Sequence, residues 1–216
     1  MIKKLSIVTI LLVLLCFTIV GGAWAQTRVP GVVQGSVFTF DVTSFWSSSD
    51  QSATIPENLL DINKTEFYRV TITEVSGAEI TTQNTWHFTN GTETSTIGTV
   101  NVEAGGSSGG FWAIVAANLR ANDLVHPYGQ DAITVNETII RAYSGGERET
   151  NHFTVNYQGD DETYGYYTEE GDCYFDRETG MLVELYDKGS FVSANMESAV
   201  LWKIEESNVW VVPEFP

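Results

Sequence analysis

Tyr68-Arg69-Val70-Thr71-Ile72-Thr73 alternates apolar and polar residues at a period of two. That is the pattern of a strand with one face toward a core. Ser76-Gly77 supplies a tight turn, and Ile80, Thr82, Asn84, Trp86 and Phe88 continue on one face of a returning strand. Asn90-Gly91 follows. Both residues tolerate positive φ, so this pair is among the strongest two-residue hairpin signals. Ile97, Val100 and Val102 then mark a third strand. Residues 67–103 are therefore expected to form a three-stranded antiparallel meander.

The same alternation extends outward. Phe38, Phe40 and Val42 alternate with Thr39, Asp41 and Thr43. Residues 47–63 break the pattern with a serine run, Pro56, Leu59, Leu60 and Ile62, which reads as a loop with one helical turn. Gly105-Gly106-Ser107-Ser108-Gly109-Gly110 reads as a flexible loop. No lysine follows it in a strand–loop–helix unit, so it is not a phosphate cradle. Phe111 through Ala117 suits a buried strand or a short helix, and Asn118 to Asp123 a turn. Ile133, Val135, Ile140 and Ala142 mark another strand, and Phe153, Val155 and Tyr157 return after Ser144-Gly145-Gly146. Residues 159–172 are acidic and tyrosine-rich. Near the end, Asp176 can bond the turn backbone and Gly180 can supply a special φ, giving strand, turn and strand from Tyr174 to Leu185. A last strand covers Val200, Trp202 and Ile204. About nine strands at this spacing indicate an all-β, mainly antiparallel domain with little helix, a sandwich or a barrel.

The two ends read as addresses. Lys3 and Lys4 precede an apolar run from Leu5 to Val20, and Ala23-Trp24-Ala25 offers small residues before Gln26. This is the pattern of a secretory signal over 1–25. A single β-rich ectodomain over 26–208 and a tail over 209–216 complete the expected organisation. Export makes Asn63, Asn90 and Asn136, each in an Asn-X-Thr triplet, candidate glycosylation sites. Cys16 leaves with the signal, and Cys173 remains as a small, half-buried strand residue with no internal partner.

Val212-Pro213-Glu214-Phe215-Pro216 resembles the segment that precedes the C-terminal membrane helix of many archaeal surface proteins. The apolar tail is not in this sequence, which implies truncation before the anchor or release. Most of the chain resembles a group of uncharacterised archaeal surface proteins. The resemblance rests on the hairpin from Tyr174 to Glu184 and on the ending from Trp202 to Pro216. Asp176-Arg177-Glu178-Thr179-Gly180-Met181-Leu182 is also similar to a hairpin of bacterial lipoprotein carriers. That likeness implies a curved antiparallel sheet, an open half-barrel, whose concave face holds acyl chains.

Charge and chemistry narrow the function. Acidic residues outnumber basic ones 28 to 11, for a net charge of −17. Such a surface repels phosphate backbones, so a nucleic-acid partner is excluded. With 43% of the residues hydrophobic and 12% aromatic, disorder is excluded too. His87, His126 and His152 are the only imidazole bases, and no nucleophile-elbow sequence accompanies them. No catalytic residue is assigned, and the chain is expected not to be an enzyme. Scattered histidines and one cysteine lack zinc spacing. Asp160, Asp161, Glu162, Glu169, Glu170 and Asp172 crowd one segment and are the better metal candidates, for calcium, although EF-hand spacing is missing. No other cofactor is indicated. Asn90, Gly91, Asp176 and Gly180 are expected to serve as structural turn residues. The expected role is an extracellular β-domain that meets envelope components. The alternative is a module that binds a lipid or another apolar ligand.

Overall fold

The computed structural model describes residues 27–129 and 132–210. The expected secretory signal and tail residues 211–216 lie outside them. Ten strands form one antiparallel sheet that does not close. They are β1 (Val37–Ser48), β2 (Thr65–Ser76), β3 (Glu79–Phe88), β4 (Glu93–Asn101), β5 (Ser107–Ser108), β6 (Glu137–Tyr143), β7 (Gly146–Asp161), β8 (Gly165–Asp176), β9 (Leu182–Phe191) and β10 (Met196–Ser207). The spatial order is β5-β4-β3-β2-β1-β10-β9-β8-β7-β6. Two meanders, β1 to β5 and β6 to β10, thus meet where the first strand pairs with the last. The sheet is a single one, so the sandwich alternative does not apply.

The central seam is long. β1 and β10 pair from Phe38↔Ser207 to Ser48↔Met196. β1 pairs with β2 only from Val37↔Thr71 to Phe40↔Tyr68. Beyond Phe40 the sheet splits, and a short helix, α1 (Glu57–Ile62), fills the gap. Asn63 makes the junction as a surrogate strand residue. Its Oδ1 accepts from the Ser44 backbone N–H at 2.8 Å, and its Nδ2 donates to the Ser44 carbonyl at 3.1 Å. The Ser44 hydroxyl donates to the Leu59 carbonyl at 2.8 Å. The expected helical turn is therefore present, and these bonds hold it against the sheet.

One face of the sheet carries the core. Phe38, Phe40, Tyr68, Val70, Ile72, Ile80, Val100, Phe153, Phe175 and Ile204 are all buried. Phe40, Tyr68, Phe111, Trp86 and Trp202 form an aromatic cluster, with Tyr68 at 4.9 Å from Trp202 and 4.6 Å from Trp86, centroid to centroid. Each edge-to-face contact of this kind contributes about 0.5–1.5 kcal/mol beyond its burial.

The segment joining the two meanders covers this face. Residues 111–117 form neither the strand nor the helix that their composition allows. They run extended across the core and borrow hydrogen bonds from the β8–β9 turn. Val115 N–H donates to the Gly180 carbonyl at 2.8 Å, Leu182 N–H to Ala113 at 3.1 Å, and Asn118 N–H to Arg177 at 2.7 Å. This satisfies the polar backbone without a full ladder, as burial requires. Two further expectations change. Ser107–Ser108, read as part of a flexible loop, pairs with β4 and makes a sheet edge. The acidic stretch 159–172 is largely strand, because β7 and β8 pair along Thr150↔Asp176 to Asp161↔Gly165. The meander expected over 67–103 is present as β2, β3 and β4.

Candidate functional site

The β8–β9 pair carries the site. Alternation along Glu169-Glu170-Gly171-Asp172-Cys173 turns Glu169, Gly171 and Cys173 to the covered face. Along Leu185-Tyr186-Asp187-Lys188-Gly189 it turns Leu185, Asp187 and Gly189 the same way. The register pairs Cys173 with Leu185, Gly171 with Asp187, and Glu169 with Gly189. Each inward carboxylate therefore faces a glycine across the ladder. A Cβ on Gly171 would lie 2.9 Å from a Val155 methyl, and one on Gly189 would lie 2.8 Å from the Ser198 hydroxyl. The two glycines keep the floor low beside the acids.

Two adjoining cavities open above this floor. The first measures about 440 Å³, and its walls include Phe111, Val155, Leu182, Leu185, Val200 and Trp202. Exposed Trp112 and Tyr157 stand at its edge. The second measures about 470 Å³ and is lined by Tyr164, Tyr167, Phe191, Glu169 and Asp161 among others. Ile62, Asp187 and Val200 belong to the walls of both. The first is an apolar chamber, and the second combines aromatic rings with carboxylates. Among the described residues, neither lining contains a lysine or arginine. Both volumes fall within the ~300–1,000 Å³ typical of small-ligand sites.

The electrostatics follow from this burial. Burial, and then the charge of Glu169, push the Asp187 carboxyl up to about 6. Burial also raises Glu169 above the usual carboxylate range. The Cys173 thiol beneath them is pushed up to about 12 by burial, with Asp187 and Asp172 adding to the effect. It is fully buried rather than half-buried, and at neutral pH it is an inert thiol.

The six acids read from the sequence are divided among three places. Glu169 and Asp161 line the second cavity, while Glu170 and Asp172 lie on the opposite face of β8. Asp172 holds His152 at 2.9 Å and Thr154 at 3.1 Å there. Asp160 and Asp161 end β7, and Glu162 is in the turn. The Asp161 carboxylate accepts the backbone N–H groups of Thr163 and Tyr164 at 2.8 Å each. Among the described residues no three His, Cys, Asp or Glu side chains gather as a metal site.

Asp176 and Gly180 build the turn that anchors the covering segment. The buried Asp176 carboxylate accepts Thr179 N–H at 2.9 Å, the Thr179 hydroxyl at 2.7 Å and Arg148 Nε at 2.8 Å. Gly180 has φ +72°, and a Cβ there would collide with the Val115 carbonyl. Asn90 and Gly91 form the β3–β4 turn, with Gly91 at φ +80°. Asn90 Oδ1 accepts from Thr92 N–H at 2.9 Å. Of the other sequons, Asn63 is held by Ser44, and the Asn136 triplet's Thr138 hydroxyl donates to Asn151 at 2.7 Å.

The histidines are apart from the cavities. His87 stacks on Phe67 at 4.5 Å and lies between Glu66 and Glu93. His126 packs against Gly105. His152 stacks on Tyr174 at 4.5 Å. Val209 and Trp210, the first residues of the expected tail, belong to the folded body. Trp210 is 5% exposed and packs on Tyr143. Among the described residues no helix is long and apolar enough to cross a membrane.

Sequence reasoning did not single out Asp187 or separate Glu169 from the other acids. The signal was present in the alternation of Glu169, Gly171 and Cys173, but the density of charge around it masked a strand.

No family model and no curated protein matches the chain. A solved structure described as a "putative lipoprotein from Parabacteroides distasonis ATCC 8503" is similar over 85% of this chain and 100% of that one, with a TM-score of 0.47 and 11% identity.

Proposed function

We propose that this protein is a non-enzymatic, exported binding module for a small ligand with an apolar body. The observation that carries this reading is the apolar chamber of about 440 Å³ left beside the covering segment. A purely structural domain gains nothing from gathering Leu185, Val200 and Trp202 around a solvent-reachable chamber. The low floor at Gly171 and the aromatic rim at Trp112 and Tyr157 suit entry of a flexible apolar group. The secretory pattern at the N-terminus and the pre-anchor resemblance at the C-terminus support a cell-surface location.

The test uses the full chain, purified from the cells that export it and analysed by native mass spectrometry. Denaturing extraction then recovers any ligand. A stoichiometric apolar compound is expected. Its loss in Val200→Trp, with an unchanged unfolding midpoint, assigns it to the chamber. An apo mass, together with no saturable uptake of N-phenyl-1-naphthylamine, overturns the reading in favour of an envelope domain that only meets other proteins.

A further inference from the structure

We propose that the two adjoining cavities take one class of ligand, a cationic amphiphile. Its apolar chain lies among Val155, Leu185 and Trp202, and its ammonium head lies between Asp187 and Glu169. This rests on the binding-module reading above and specifies its ligand.

The argument begins with geometry. Asp187 stands in the shared wall, so a ligand lying across both chambers passes its carboxylate. One side of that wall offers apolar side chains. The other offers Glu169, Asp161 and the rings of Tyr164, Tyr167 and Phe191. These three rings pack together, with Phe191 at 5.7 Å from Tyr164 and 5.5 Å from Tyr167. Carboxylates beside aromatic faces are the chemistry that recognises an alkylated ammonium. An anionic head is opposed by the charges of Glu169, Asp161 and Asp187, and among the described residues no basic side chain in the linings compensates for it. A neutral chain fills the first chamber but leaves the two half-buried acids repelling each other. A cation between them removes that repulsion, which makes the head group part of the recognition.

The pH behaviour follows. The groups facing Asp187 are Glu169 and Cys173 on β8, Tyr157 on β7, and Asp161, Tyr164 and Tyr167 around the second chamber. The Cys173 thiol, pushed up to about 12, is uncharged at neutral pH. A cation favours ionised Asp187, so protons compete with it, and affinity falls as pH drops through about 6.

Three probes sharing a twelve-carbon chain test the proposal on the full-length protein: dodecyltrimethylammonium, dodecyl maltoside and dodecyl sulfate. Each is used below its micellar range, with near-ultraviolet circular dichroism to verify folding. The ammonium probe is expected to bind roughly tenfold tighter than the maltoside at pH 7.5, with the sulfate weakest. The double variant Asp187→Asn, Glu169→Gln is expected to bind ammonium and maltoside alike. A Glu66→Gln, Glu206→Gln control, with both changes outside the chambers, is expected to keep the preference and so exclude general attraction to an acidic surface. Equal binding of ammonium and maltoside by the native chain overturns the ligand class and leaves the apolar site standing. Binding of none of the probes overturns both readings.

Discussion

Asp187→Asn is expected to stabilise the unliganded protein at neutral pH. The native carboxyl is raised from 3.8 to about 6, chiefly by burial and then by Glu169. For an acid, a raised native value means that the folded state binds the proton more tightly than the unfolded chain. Stability therefore rises as pH falls through about 6, and the penalty of holding the charged form is complete above it. Moving a carboxyl from 3.8 to about 6 corresponds to ~3 kcal/mol against the ionised fold. The group is half-buried, and solvent screening reduces this to about 1–2 kcal/mol. An amide of the same shape removes the charge while keeping the chamber wall. Urea unfolding of native and variant chains at pH 7.5, 5 and 4 measures the difference. The variant is expected to be more stable by about 1–2 kcal/mol at pH 7.5, with the gap closing towards pH 4. A gap that is absent, or one that keeps its size across that range, refutes the view that Asp187 is held charged at a cost in the folded protein.

Other consequences can be measured directly. Asp176→Ala leaves Arg148 without its buried partner and opens the β8–β9 turn, so a loss of about 3–5 kcal/mol is expected in urea unfolding. Gly180→Ala meets both an unfavourable φ and the Val115 carbonyl, and is expected to cost at least ~2 kcal/mol by the same assay. Cys173 is expected to resist a thiol reagent in the folded protein at pH 8 and to react once in denaturant. Rapid native labelling would contradict its burial. Asn90 is the sequon expected to carry a glycan on the folded protein, because its turn projects from the sheet and its Oδ1 already sets the local geometry. Glycopeptide mass spectrometry of the exported chain reads this, and occupancy confined to Asn63 would contradict it.

What was legible in the sequence, and what was not, has a physical division. Alternation from Tyr68 to Val102 identified β2 to β4, because a half-buried strand imposes its own period on side-chain polarity. Asp176 and Gly180 were readable because a tight turn constrains φ and leaves backbone donors to satisfy. The covering segment was not readable. Phe111 to Ala117 is apolar without a period, since all of it but Trp112 is buried and it is bonded to a turn far away in sequence. Strand, helix and extended cover share that signature. The acidic stretch failed for the opposite reason. Charges usually mark solvated faces, yet Glu169 and Asp187 point inward, each across from a glycine.

That inversion links fold to function. Apolar side chains in place of Glu169 and Asp187 would make the β8–β9 floor an ordinary core wall. The chain instead places two carboxylates where burial penalises them and removes the side chains that would shield them from each other. Asp176 provides the contrast within the same pair of strands. It is more deeply buried, but Arg148 and Thr179 satisfy it. A fold that can supply such partners at one end of the hairpin and leaves the acids close together at the other has a place for a positive charge that comes from outside the chain.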